Sequence, residues 1–186
     1  MTLSRQQLLI AMGATAALLG AIAKIWMGVG HVQPIEWMWD ATAIAQGLGL
    51  GVAIVLASQA VYRLWPAYRN SANAYLTLVL KPLAWPDVIW LGVLPGLSEE
   101  LLFRGVALAA IGLTPLGVAI TSIIFGSLHL LDFDQWPYGV WAAVIGIALG
   151  TSAIATGNLL VPVVAHVAAN ALSGSLWKAR LQQEAS

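Results

Sequence analysis

Two adjacent carboxylates and a guanidinium stand inside an apolar run: Glu99, Glu100 and Arg104 in SEELLFRG, with hydrocarbon side chains on both flanks. A charged side chain at the centre of a membrane helix costs about 2.5–3.5 kcal/mol on insertion scales, so such groups are normally paired, turned toward protein and functional. At 3.6 residues per turn Glu100 and Arg104 share a face one turn apart, with the acid N-terminal to the base, the favoured order. Glu99 is rotated about 100° away and has no base one turn along. Glu100 therefore reads as neutralised by Arg104, while Glu99 must find a partner on another helix or hold water. One Glu-x-x-x-Arg pair alone would read as a structural salt bridge that fixes helix register. The second carboxylate, with no local partner, weakens that reading.

Two further polar insertions occur in other apolar runs. His129 follows Phe125 by one turn in SIIFGSLHLL, and Asn170 follows His166 by one turn in PVVAHVAANALSG. Taken singly, a histidine near a span end is more often a satisfied core residue, and a His-x-x-x-Asn face can be interhelical glue worth about 0.6–2 kcal/mol per contact. Taken together, Glu99, Glu100, Arg104, His129, His166 and Asn170 are almost every strongly polar side chain at depth in the last four spans. Small neighbours such as Gly96, Gly105, Gly126, Ala165 and Ala169 would let the helices approach and bring the set together. A carboxylate and an imidazole sharing a water form a general base and its partner, and a His and an Asn on a facing helix can hold a developing oxyanion. That inventory suits amide hydrolysis without a covalent intermediate.

Other chemistries fit the residues less well. Ser98, flanked by two carboxylates, makes a poor nucleophile, and Asp132 and Asp134 fall in a loop, which leaves no aspartyl pair in the spans. The signature His-Glu-x-x-His is missing, although His129, His166 and Glu99 could together bind zinc, since ligands need not be local in sequence. The expectation is no metal and no cofactor. With no cysteine, thiolate ligands, disulfides and a cysteine nucleophile are all excluded. A proton or ion pathway, or a non-catalytic protein with the polar set kept for helix association, stays open as an alternative.

The elements that must position these groups follow from composition. The 186 residues are 60% hydrophobic and only 9% charged, at mean hydropathy +0.83, too few polar groups to coat a soluble globule. Requiring about 20 apolar residues per crossing gives six candidate spans, 8–27, 41–62, 87–111, 115–131, 138–156 and 159–177, and an all-α polytopic bundle. The apolar stretch 72–80, bracketed by prolines and too short to cross, reads as an interfacial helix or a half-inserted loop. Residues 1–86 form the N-terminal helices and 87–180 the core that carries the polar set, expected as one structural domain. With eight acids and eight bases the formal net charge is zero, so a nucleic-acid partner is not expected. Placing the N terminus in the cytoplasm puts Arg5, Arg63, Arg69, Lys81, Lys178 and Arg180 inside and leaves Lys24 near the outer face. Eight of the nine tryptophans then fall at or near span ends, where the amphipathic ring is favoured. The first apolar run also fits a secretory signal, but it continues past Lys24 into IWMGVG, so a retained helix is expected.

The three motifs, in this order, resemble those of the CPBP intramembrane proteases, a family that includes the CAAX-processing prenyl endopeptidases and the Abi-type proteins. Glu-Glu-x-x-x-Arg matches Glu99, Glu100 and Arg104; Phe-x-x-x-His matches Phe125 and His129; His-x-x-x-Asn matches His166 and Asn170. The resemblance covers residues 87–177, about half of the chain. It implies a helical bundle with a water-accessible cavity at mid-depth, in which Glu99 is the base and His129 its partner. Glu100 and Arg104 would then support the site, and His166 with Asn170 would hold the oxyanion. The implied substrate is a membrane-associated peptide or protein, and the implied location a bacterial inner membrane or its equivalent. Prenyl-protein processing is not implied, because the N-terminal half carries no signature of the family. A non-catalytic relative serving as an immunity, chaperone or assembly factor is the competing reading.

Overall fold

The structure, a computed structural model, describes residues 3–130 and 132–185, and its regular elements there are all helical. The helices are α1 (Arg5–Gly30), α2 (Ala41–Leu64), α3 (Pro66–Leu80), α4 (Val88–Glu100), α5 (Leu108–Ile111), α6 (Pro115–Ser127), α7 (Trp136–Thr156) and α8 (Leu160–Ala185). A π-helical segment, Leu101–Ala107, joins α4 to α5 without a break. Helix starts follow local chemistry. Ser4 and Gln7 form a reciprocal capping box on α1, and Asp40 and Thr114 accept backbone N–H groups at the starts of α2 and α6, satisfying donors that have no intrahelical partner. Pro66, Pro115 and Pro137 sit in first turns, where a missing N–H costs nothing.

α1, α2, the α7 region and α8 are each long and apolar enough to cross a membrane, and α3 with the helix that follows makes a fifth crossing if the pair counts as one broken span. The expected all-α membrane bundle is thus present, with two local differences. α6 runs for 13 residues, about 20 Å at 1.5 Å per residue, and stops at Ser127 where a turn begins; the expected end of that span, Leu131, lies outside the described residues. The stretch read as interfacial or half-inserted is the C-terminal part of a 15-residue helix, α3, set at 110° to the following helix across residues 81–84. Tyr68, Ser71, Ala72 and Leu80 of α3 are buried, so packing against α2 and α7, not propensity alone, holds it.

α8 is the central helix. Half of its most apolar window is buried inside the bundle, against 11% for α1. Two glycine seams permit this: Gly47 and Gly51 of α2 lie against Val161, Val164, Ala165 and Ala168, and Gly92 and Gly96 of α4 against Val167 and Ala171. A Cβ at Gly51 would stand 2.8 Å from both the Ala165 carbonyl oxygen and the Ala168 Cβ. Between membrane helices no solvent drives association, so close backbone approach is what small-xxx-small spacing supplies. At one end of the bundle Arg5 clamps Asp87 through two bonds of 2.6 and 2.8 Å. Beside it Leu8, Leu80, Leu83 and Trp177 pack together. At the other end the α1–α2 loop is tied down: Ile35 N donates to Gly105 O at 3.2 Å, Leu159 N to Glu36 O at 2.8 Å, and Asn158 bonds both backbone groups of Met38.

Gly51→Val should therefore lower the unfolding midpoint in detergent micelles by the equivalent of about 1–3 kcal/mol, the usual cost of overpacking. Gly49→Val, two residues away with nothing within 4 Å of its Cβ position, should leave the midpoint unchanged.

Candidate active site

Pro95 lies inside α4 and cannot donate to the carbonyl of Leu91. Asn170 of α8 takes up that freed acceptor, with Nδ2 at 3.5 Å from Leu91 O, a long bond that locates the amide without engaging it fully. One turn after Pro95 the helix carries Ser98, Glu99 and Glu100 and then widens into the π register, in which Leu108 N donates to Phe103 O. Such segments occur mostly as short insertions at functional sites. Ser98 donates its hydroxyl back to Leu94 O at 2.8 Å, in keeping with the expectation that it is no nucleophile.

Glu100 and Arg104 are fully buried and meet as expected, Arg104 Nη1 donating to Glu100 Oε1 at 2.8 Å. The same oxygen also accepts from His166 Nδ1 at 2.7 Å, a link between α4 and α8 that sequence spacing did not reveal. The second nitrogen of the guanidinium, Nη2, donates to Gly146 O on α7 at 3.2 Å, and its carbon stands 4.4 Å from the centre of the Phe125 ring. A Cβ at Gly146 would lie 3.0 Å from that Nη2 and 3.0 Å from Ser122 Cβ, so the guanidinium occupies space that only glycine leaves. Phe125 in turn sits edge-on to His166, at 6.1 Å, and 4.5 Å from His129. Its carbonyl accepts from His129 Nδ1 at 2.8 Å.

These bonds fix both imidazoles. A carbonyl oxygen can only accept, so Nδ1 of His129 carries a proton; the Arg-paired carboxylate of Glu100 requires the same of His166 Nδ1. In the neutral rings both Nε2 atoms are then bare acceptors. Both face Glu99: Nε2 of His129 is 3.9 Å and Nε2 of His166 4.0 Å from Glu99 Oε2, beyond direct hydrogen bonding. Glu99 Oε2 is buried and has no hydrogen-bond partner among the described residues. Two imidazole acceptors, each about 4 Å from the Glu99 oxygen, form with it a receptor for a donor of the size of water.

The point lies on the wall of a cavity of about 170 Å³, lined from α2, α3, α4, α6 with the turn after it, α7 and α8. That volume exceeds a single water several-fold and is comparable to an engineered cavity of about 150 Å³ that admits benzene. Glu99, Phe125, His129, His166 and Asn170 all line it, whereas Glu100 and Arg104 stand behind them. Sequence reasoning missed the aromatic wall opposite. Tyr75 and Tyr138 stack at 4.3 Å, Tyr68 stacks on Tyr138 at 6.3 Å, and Tyr138 lies 6.4 Å from His129. Their only sequence signal was a polar-tipped ring one turn inside an apolar run. Among the described residues no group of three or more His, Asp or Glu side chains is gathered closely enough to hold a metal ion.

The family profile for type II CAAX prenyl endopeptidase Rce1-like proteins matches residues 81–172. Over 138 residues the chain is 30% identical to the uncharacterized protein YpbD of Bacillus subtilis (strain 168), an alignment covering 73% of this chain and 70% of that protein. The chain belongs to the Rce1-like family. No solved structure matches it significantly. As an Rce1-like protein it is an integral, multi-pass membrane protein of a protease family, and the matched span contains all six residues of the polar set together with Phe125.

The two carboxylates of this Rce1-like chain should separate in a stability assay. Glu100→Gln leaves Arg104 without its buried counter-charge and should cost about 3–5 kcal/mol, read as a large drop in unfolding midpoint. Glu99→Gln, which removes no direct ion pair, should change the midpoint little.

Proposed function

We propose that the protein is an intramembrane endopeptidase in which Glu99 activates water for attack on a peptide carbonyl of a membrane-associated peptide or protein. The supporting observation is the unpartnered Glu99 Oε2 about 4 Å from two imidazole Nε2 atoms, one supplied by α8 and one by the turn that follows α6. A water there donates one hydrogen to Glu99 and the other to an imidazole, which turns an oxygen lone pair toward the cavity. Attack forms the C–O bond as the water proton passes to Glu99. Collapse of the tetrahedral intermediate breaks the C–N bond, and the same carboxyl returns its proton to the leaving amine, so no covalent enzyme intermediate is required.

His129 orients the water, its ring held by the Phe125 carbonyl. Asn170 Nδ2, only weakly engaged by Leu91 O, serves the developing oxyanion, and so does His166 once its Nε2 is protonated, with its Nδ1 proton still shared with Glu100. Glu100 and Arg104 act through His166: they hold its ring and its tautomer, as an aspartate does in a hydrolase triad. The N terminus is placed in the cytoplasm, the side to which Arg5, Lys178 and Arg180 then belong.

The test uses purified protein in proteoliposomes and a pool of synthetic membrane-inserting peptides, prenylated and unprenylated, with products read by mass spectrometry. Glu99→Gln and His129→Ala should each reduce turnover by about 10²- to 10⁴-fold, the usual contribution of a positioned base, while folding is retained. A chelator such as phenanthroline should leave turnover unchanged. Undiminished cleavage by both variants would exclude the glutamate mechanism and favour a different catalytic group.

A further inference from the structure

The cavity has a second end. One wall follows a stripe of α8 through His166, Asn170, Ser173, Trp177 and Arg180, positions three or four apart that share a helix face. Every lining residue is buried or half-buried except Arg180, which is exposed; Arg180 therefore marks the mouth. Its guanidinium is held in place: Nη2 donates to Gln59 Oε1 on α2, and its carbon stands over the Tyr62 ring at 5.7 Å. Tyr62 is fixed in turn, its hydroxyl donating to Asn73 Oδ1 at 2.8 Å. Among the described side chains, then, the guanidinium meets a neutral amide and a ring face but no carboxylate.

The charge layout gives the cavity a direction. Its inner end carries Glu99 and its mouth carries Arg180, with only neutral or imidazole side chains between. An anionic group is repelled from the first and attracted to the second, and a planar fork of N–H donors matches a carboxylate. Resting on the endopeptidase reading, we propose that Arg180, braced by Gln59 and Tyr62, binds a carboxylate carried by the substrate, while the neutral segment next to it reaches Glu99. Arg180 lies fourteen residues beyond His166 on one helix, about 21 Å at 1.5 Å per residue. Even a fully extended chain needs roughly six residues to cover that span, so the carboxylate sits about six residues or more from the bond to be cut. Its source is the substrate's C terminus or an acidic side chain near it.

The inference is tested by binding, independently of turnover. Glu99→Gln protein in phosphatidylcholine nanodiscs is titrated with three fluorescein-labelled apolar decapeptides: a C-terminal acid, a C-terminal amide, and an amide ending in glutamate. The acid or the glutamate peptide should bind about ten-fold or more tighter than the plain amide, and which one does so identifies the source of the carboxylate. Adding Arg180→Gln should erase the difference and Arg180→Lys should keep part of it, both with unaltered unfolding midpoints. Equal binding of all three peptides to protein retaining Arg180, or a preference that survives Arg180→Gln, overturns the proposal. So does a preference that disappears in phosphatidylglycerol discs, because the mouth then takes a lipid phosphate. A preference that holds while wild-type protein cleaves none of the peptides supports the carboxylate site and counts against the endopeptidase reading instead.

Discussion

A single oxygen, Glu100 Oε1, accepts from the guanidinium one turn along its own helix and from an imidazole on α8, and the site is organised around that double acceptance. Removing two charges from water is expensive, and the mutual attraction compensates only when geometry is good and the remaining donors are used. Arg104 meets the second condition in part by donating also to Gly146 O and lying on the Phe125 ring. The pair thereby joins α4, α6, α7 and α8. None of these four helices can rotate or slide without exposing a charge to hydrocarbon, so the ion pair sets register as well as neutralising itself.

Register is what the imidazoles need. Each ring is anchored at Nδ1, by a backbone carbonyl for His129 and by Glu100 for His166, which leaves Nε2 turned toward Glu99 in both. Glu99 could have been drawn into direct contact with either ring. It stands instead about 4 Å from both, with Oε2 left without a hydrogen-bond partner among the described residues. The glycine seams of α2 and α4 serve the same end, because only thin helices bring α8 near enough for its histidine to reach α4.

The division between Glu99 and Glu100 was legible in the sequence, because it depends on helical phase alone: one acid has a base four residues on and the other has none. It survives the π segment, which begins at Leu101, because the four-residue step from Glu100 to Arg104 still brings the two side chains to 2.8 Å. The convergence of His129, His166 and Asn170 was legible for a different reason, the scarcity of polar side chains at depth. What spacing did not contain was partner choice. His166 and Asn170 share a face as expected, yet one is held by a carboxylate and the other by a carbonyl that Pro95 leaves free, and both links join residues more than sixty positions apart. The N-terminal half, which carries no signature motif, nevertheless builds the mouth and the aromatic wall, through residues such as Gln59, Tyr68 and Tyr75. A tyrosine inside an apolar run looks like belt or core until a neighbouring helix supplies a cavity for it.

The shape of that cavity limits which chemistry the polar set can perform. A proton or ion pathway needs titratable groups spaced along a route through the bundle, whereas here the acid and both imidazoles lie together at one end, and the wall between them and Arg180 carries rings, hydrocarbon and neutral amide and hydroxyl side chains. A purely structural network would tie up its donors and acceptors, and Glu100 Oε1 with Arg104 does much of this; Oε2 of both glutamates is buried without a partner among the described residues, but only Glu99 lines the cavity. An unsatisfied buried carboxylate oxygen is costly. On the wall of a cavity with room for several waters that cost is relieved by a bound donor, and such a donor is the water that the proposed base would activate.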